Sequence, residues 1–102
     1  MIYHIAEQNI WDTQSTLPDY KPDAYATEGF IHCSNYEQVV PTSERYYQGR
    51  DDLIILEIDQ TKLTAELRYE NLLGGAEQFP HVYGAINKTA LNRILTLADF
   101  AV

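Results

Sequence analysis

Short runs of alternating apolar and polar residues, separated by Pro, Gly and Asn, predict brief strands and helices along the whole chain. The opening IYHI is rich in strand formers; when extended, it puts Ile2 and His4 on one face and Tyr3 and Ile5 on the other. AEQNIWDTQ predicts a short helix whose Ile10 and Trp11 cover a sheet. Two prolines make LPDYKPDAY an irregular crossing flanked by Tyr20 and Tyr25. In ATEGFIHCSNYEQVV, Gly29 permits a tight entry, Phe30 to Cys33 is extended, and Ser34 with Glu37 has capping-box spacing that starts a helix after Ser34. Pro41 kinks or divides that helix before Tyr47.

LIILEID is the clearest strand, because its branched apolar residues fit the interior of a pleated sheet, and it is placed near the sheet centre. In the next extended segment Leu67 and Tyr69 share one face, Glu66, Arg68 and Glu70 share the other, and Glu70 falls at the strand end. Gly74-Gly75 and Phe79-Pro80 favour a loop that presents HVYG. NKTALNRILTL predicts a helical turn before a last strand, and ADFAV a closing tail. The elements add up to an α+β fold, a compact mixed or split β-sheet of about five or six strands with short flanking helices. Its expected core is Ile5, Trp11, Phe30, Val39, Leu53, Ile55, Leu67, Ile94 and Leu97.

Length limits what this fold can carry. A chain of 102 residues is expected to form one domain over 1–102, burying about 60 to 65% of its unfolded surface, so any site is built from elements that also form the core. Seven Lys and Arg against fifteen Asp and Glu give a net charge of -8, shared equally by the two halves of the chain. Scattered basic residues on so acidic a chain argue against general nucleic-acid binding. A single cysteine excludes an internal disulfide, and without a signal-peptide pattern or a long apolar run the expectation is a cytoplasmic, non-membrane protein. Both the repeated-glycine dinucleotide fingerprint and the phosphate-loop pattern are missing.

Candidate chemistry rests on the three histidines, which all fall in or beside short strands. Inward-facing His4 and His32 on neighbouring strands would donate to a ribose or phosphate, or exchange a proton with a substrate; as backbone cross-links, each would serve the fold alone. His81 is held between Phe79-Pro80 and Gly84, against either a pocket or the core. Cys33 points away from its neighbour His32 and reads as a small buried residue rather than a nucleophile. Its spacing from the histidines matches no metal-binding signature, so no metal is expected. Ser34 is a helix cap and also a candidate phosphate or ribose ligand. Glu28 is a surface carboxylate or a partner for a hydroxyl, and Glu70 is a candidate catalytic carboxylate or a sheet-edge residue. Tyr20, Tyr25, Tyr46, Tyr47 and Tyr83 supply either packing or stacking surfaces.

IYHI, EGFIHCS, DLIILEID and FPHVYG in combination resemble domain-of-unknown-function family 952 (DUF952) over nearly the whole chain. That family in turn is similar to the ADP-ribosyltransferase superfamily, whose split sheet forms an NAD cleft. The resemblance implies an ADP-ribosyltransferase-like fold, NAD as cofactor and ADP-ribosyl transfer. His4 corresponds to a first-strand histidine that contacts the ribose, and His32 to a group holding the nicotinamide side. Glu70 corresponds to the later catalytic glutamate. On this expectation His32 and Glu70 are catalytic, while His4, His32, Ser34, His81 and Tyr83 bind the cofactor. The alternative expectation is a non-catalytic module that senses a nucleotide-like metabolite, or takes a selective protein partner, through the same cleft. The chain lacks an arginine-rich phosphate-binding set, which argues against transfer to a phosphorylated RNA end.

Overall fold

A computed structural model describes residues 1–100. Its first sheet is built on β4 (Leu53–Ile58), which pairs antiparallel with β1 (Ile2–Glu7) on one side and β8 (Leu91–Leu95) on the other. The central placement expected of LIILEI follows from burial on both faces. Ile54, Leu56 and Ile58 join Ile2 and Ala6 in one apolar cluster, while Ile55 joins Tyr3, Ile5, Val39 and Phe100 in the other. Glu57 breaks the apolar run at little cost because it is fully partnered. It accepts from the Tyr3 hydroxyl at 3.0 Å, Arg93 Nε at 2.9 Å and the Asn92 amide. Burial pushes its carboxyl up, but these donors together outweigh that and hold it below the usual range.

The second sheet has the order β3 (Ile31–His32), β6 (Phe79–Tyr83), β5 (Glu66–Glu70), again antiparallel. Two backbone bonds join it to the first sheet: Tyr3 N–H donates to the Ser34 carbonyl at 2.8 Å, and Ser34 N–H to the Tyr3 carbonyl at 2.7 Å. A two-stranded ribbon of β2 (Asp19–Tyr20) and β7 (Ile86–Asn87) completes the pairing. Short helices α1 (Gln8–Thr13), α2 (Tyr25–Glu28) and α3 (Val39–Tyr46) flank the sheets. The protein has an α+β fold, and Ile10 and Trp11 of α1 pack on the first apolar cluster as expected.

Several expectations are corrected. Among the described residues there are eight strands rather than five or six: β3 falls within the expected extended run Phe30 to Cys33, while β2 and β7 span two residues each and leave no alternation to read. The capping box uses Asn35 and Gln38, one residue beyond Ser34 and Glu37. A 3₁₀ turn at Tyr36–Gln38 precedes α3, and Pro41 sits in the first turn of α3, where its missing N–H costs nothing. The strand carrying HVYG starts earlier than expected, at Phe79. Ile94 lies on the surface, 48% exposed, since β8 is an edge strand of its sheet, and Leu97 is 38% exposed in the 3₁₀ turn Leu97–Phe100 that follows. Of the ADFAV tail, residues 101–102 lie outside the described residues.

Leu56→Ala, at a fully buried position of the central strand, is expected to lower unfolding free energy by about 2–5 kcal/mol. Ile94→Ala is expected to change it by about 0.5 kcal/mol or less. Urea unfolding of both variants distinguishes the two positions.

Candidate functional site

Alternation along the second sheet separates core from site. Ile31, Cys33 and Val82 enter the apolar cluster, so His32, Phe79, His81 and Tyr83 take the opposite face. His32 and His81 are direct partners across β3 and β6, which brings His32 Nδ1 to 3.2 Å from His81 Nε2. His81 Nδ1 lies 3.0 Å from Glu70 Oε1, and the Tyr83 hydroxyl donates to the same oxygen. Four of the predicted site residues thus form one continuous chain: Tyr83, Glu70, His81, His32.

That chain has a direction. The two donors hold the Glu70 carboxyl below the usual range, the Tyr83 hydroxyl contributing most and His81 next, and the bond to Glu70 in turn pushes the Tyr83 phenol up. An ionised carboxylate only accepts, so His81 Nδ1 carries a proton. With both imidazoles neutral, His81 Nε2 is then an acceptor, His32 Nδ1 is the donor, and His32 Nε2 is left with a bare lone pair. That nitrogen is covered and has no partner. Burial, followed by the proximity of His81 and His4, lowers the His32 pKa to about 4 and keeps the ring neutral.

A cleft of about 590 Å³ runs along this face. His32, His81 and Phe79 line it from the sheet and Phe30 from the residue before β3; Phe30 stacks on His81 at 4.2 Å and Phe79 lies 5.1 Å from His32. Tyr46, Tyr47 and Arg45 line it from α3 and the residue after it, and Glu28 and Glu77 add carboxylates. Gln38 ties the start of that helix to the cleft rim. Its backbone and side chain complete the capping box with Asn35, while Nε2 donates to the Gln78 carbonyl at 2.9 Å and to Glu77 at 3.2 Å.

The remaining predicted residues are placed differently. His4 is buried on the core side and does not line the cleft; its Nδ1 donates to the His32 carbonyl at 2.8 Å. The His4 and His32 rings therefore meet through main chain, not around a shared ligand. Ser34 is buried too, held by the bridge to Tyr3, with its hydroxyl 3.5 Å from Thr42 Oγ1. Glu70 and Tyr83 stand behind His81 and do not line the cleft. Cys33 is buried, and burial pushes its thiol up, away from thiolate chemistry. Tyr20 and Tyr25 pack in the core, whereas Tyr46 and Tyr47 reach the cleft. Sequence reasoning missed Gln38, Arg45 and Asn71 as cleft residues. Two-residue periodicity over FPHVY was the available signal that Phe79, His81 and Tyr83 share a face.

A family model described as a protein of unknown function (DUF952) matches residues 5–94, a span that includes His32, Glu70, His81 and Tyr83. The chain belongs to the DUF952 family. It is similar to protein CC0527 of Caulobacter crescentus, whose crystal structure superposes with a TM-score of 0.80 at 28% identity, covering 91% of this chain and 82% of that one. The solution NMR structure of the same protein gives a TM-score of 0.80 at 28% identity, over 94% and 83%. No curated protein matches this DUF952 chain. Among its described residues no helix is long and apolar enough to cross a membrane, and no group of three or more His, Cys, Asp or Glu is placed to hold a metal ion.

His4 and His32 both titrate near 4 in the folded protein and near 6.5 unfolded. Because the unfolded chain takes up these protons first, their contribution is fully present above about pH 6.5 and is lost as pH falls toward 4. For the fully buried His4 the difference is worth about 3 kcal/mol. Calorimetry is expected to show Tm falling across that window, with a shallower fall in His4→Asn.

Proposed function

We propose that the cleft binds NAD⁺ and that the protein transfers ADP-ribose from it to an acceptor. The observation that carries this reading is the Tyr83–Glu70–His81–His32 chain set in the wall of an aromatic cleft. A volume of about 590 Å³ lies within the range of about 300–1,000 Å³ typical of ligand and cofactor sites. Phe79, Tyr46 and Tyr47 offer ring faces to adenine and nicotinamide. Arg45 is the cation for the diphosphate, and the carboxylates of Glu28 and Glu77 accept from ribose hydroxyls and complement a pyridinium charge. The resemblance to ADP-ribosyltransferases supports the same ligand.

When bound, NAD⁺ supplies an ADP-ribosyl group: the bond from ribose C1′ to the nicotinamide nitrogen breaks, and C1′ bonds to the acceptor heteroatom. His32 takes the proton the acceptor gives up. Protonation at Nε2 makes His32 an imidazolium, whose Nδ1–H donates to His81 and whose charge is stabilised through His81 by the ionised Glu70 carboxylate. Glu70 therefore acts through His81 rather than on the sugar, a positioning and charge-stabilising role in place of direct contact. Since His32 Nε2 is covered in the free protein, a ligand donor must displace what covers it. That same cover favours the second reading, in which the cleft senses a nucleotide-like metabolite without transfer.

Ligand-observed NMR titration with NAD⁺ tests binding: broadened NAD⁺ signals are expected, and signals identical with and without protein would overturn the reading. Glu70→Gln is expected to keep the affinity within about threefold and to lower nicotinamide release by about a hundredfold or more. Binding without any release by the wild-type protein decides for the second reading.

A further inference from the structure

We propose that His4 is the positioning residue of the histidine chain, holding His32 through its main chain from the core side, and that Tyr20 is the group that fixes His4. Three observations carry this. First, His4 is 5% exposed and its Nδ1 lies 2.8 Å from the His32 carbonyl. A carbonyl only accepts, so His4 Nδ1 is the protonated nitrogen and Nε2 of the neutral ring is a bare lone pair. Second, that Nε2 and the Tyr20 hydroxyl are both buried with no partner. Third, the two rings are neighbours, with centroids 5.8 Å apart, and Tyr20 is 1% exposed between His4 and Trp11.

The two unpartnered groups are chemically complementary. The Tyr20 hydroxyl has a proton to give and His4 Nε2 has only a lone pair, whereas two acceptors or two donors would gain nothing from adjacency. As placed here neither bonds to the other, and an adjustment that brings the Tyr20 hydroxyl onto His4 Nε2 removes the penalty of both. The pairing also selects the His4 tautomer that its bond to His32 requires. Burial pushes the Tyr20 phenol up, so it remains a donor.

The consequence for the site is geometric. β3 is only two residues long and pairs along one side with β6. The Tyr3–Ser34 bridge fixes the chain two residues further on, and the His4 bond fixes His32 itself. The Cys33 N–H bond to the Pro80 carbonyl at 2.9 Å holds the other end of that peptide to β6, so without the His4 bond the peptide keeps its tie to β6 but loses its anchor from the core side, and the 3.2 Å approach of His32 to His81 is loosened. The first-strand histidine thus acts on the cleft at one remove. This inference deepens the reading of the cleft, but it is tested on the unliganded protein, so its failure is distinguishable from a failure to bind NAD⁺.

The experiment is long-range ¹H–¹⁵N NMR of the imidazoles in unliganded protein at pH 8, on wild type, His4→Phe, His4→Asn and Tyr20→Phe, with circular dichroism as the check on folding. The wild type is expected to show His4, His32 and His81 as Nδ1–H tautomers. In folded His4→Phe the His32 and His81 patterns collapse toward a mixture of tautomers. His4→Asn, whose side-chain amide places a donor where Nδ1–H stood, restores them. Tyr20→Phe removes one oxygen and is expected to shift the His4 Nε2 resonance and to add the other tautomer. Unchanged His32 and His81 patterns in folded His4→Phe overturn the positioning role. Should His4→Phe fail to fold, unaltered His4 resonances in Tyr20→Phe, or averaged His32 patterns in His4→Asn, overturn it instead.

Discussion

A carboxylate can only accept hydrogen bonds, and that constraint at Glu70 orders the whole site. With Tyr83 donating from one side and His81 from the other, the proton on His81 is assigned to Nδ1, the next to His32 Nδ1, and a lone pair is left at His32 Nε2. Nothing in this sequence of assignments depends on a ligand. It follows from the register that opposes His32 to His81 and from the position of Glu70 at the end of β5, opposite Phe79. A one-residue slip of β6 would turn His81 and Tyr83 into the core and Val82 into the cleft, so the apolar face of the same strand enforces the polar one.

Small size makes this coupling unavoidable. The residues that pair the sheets also build the wall of the cleft; behind it His81 is held by the Glu70 side chain, which Tyr83 fixes in turn, and His32 by its main chain. The bridge between Tyr3 and Ser34 joins the sheets, and beside it His4 Nδ1 donates to the His32 carbonyl. On the far side of β1 the buried Glu57 cluster plays a comparable part, satisfying a charge in the first sheet with Tyr3, Asn92 and Arg93. Arg45 is the cation among the residues lining the cleft of this acidic chain. This is consistent with a ligand held chiefly by ring faces and hydrogen bonds.

Much of this was legible in the sequence, for identifiable reasons. LIILEI announced a strand buried on both faces, and two-residue periodicity over ELRYE set Glu70 at a strand end on the face shared with Arg68. The short strands at Asp19–Tyr20 and Ile86–Asn87 carried no such signal, since two residues cannot display a period; Ile31–His32 lies inside the run read as extended from Phe30 to Cys33. The cap at Asn35 was misread because Ser34 and Asn35 are both good caps and each has a suitable residue three positions on; burial of Ser34 at the sheet junction decides between them. His4, His32, His81 and Glu70 were all identified as candidates, yet which of them touch is a matter of strand order. Sequence could not show that His4 approaches from the core while the other three form a line.

The directed chain of protons is the central claim, and neutron diffraction from a deuterated crystal of the unliganded wild-type protein at pH 8 tests it most directly. Deuterium is predicted on Nδ1 of His32 and of His81, with none on Glu70 and none on Nε2 of either ring. Deuterium on His32 Nε2, or on Nε2 of His81 with Nδ1 bare, would contradict the account.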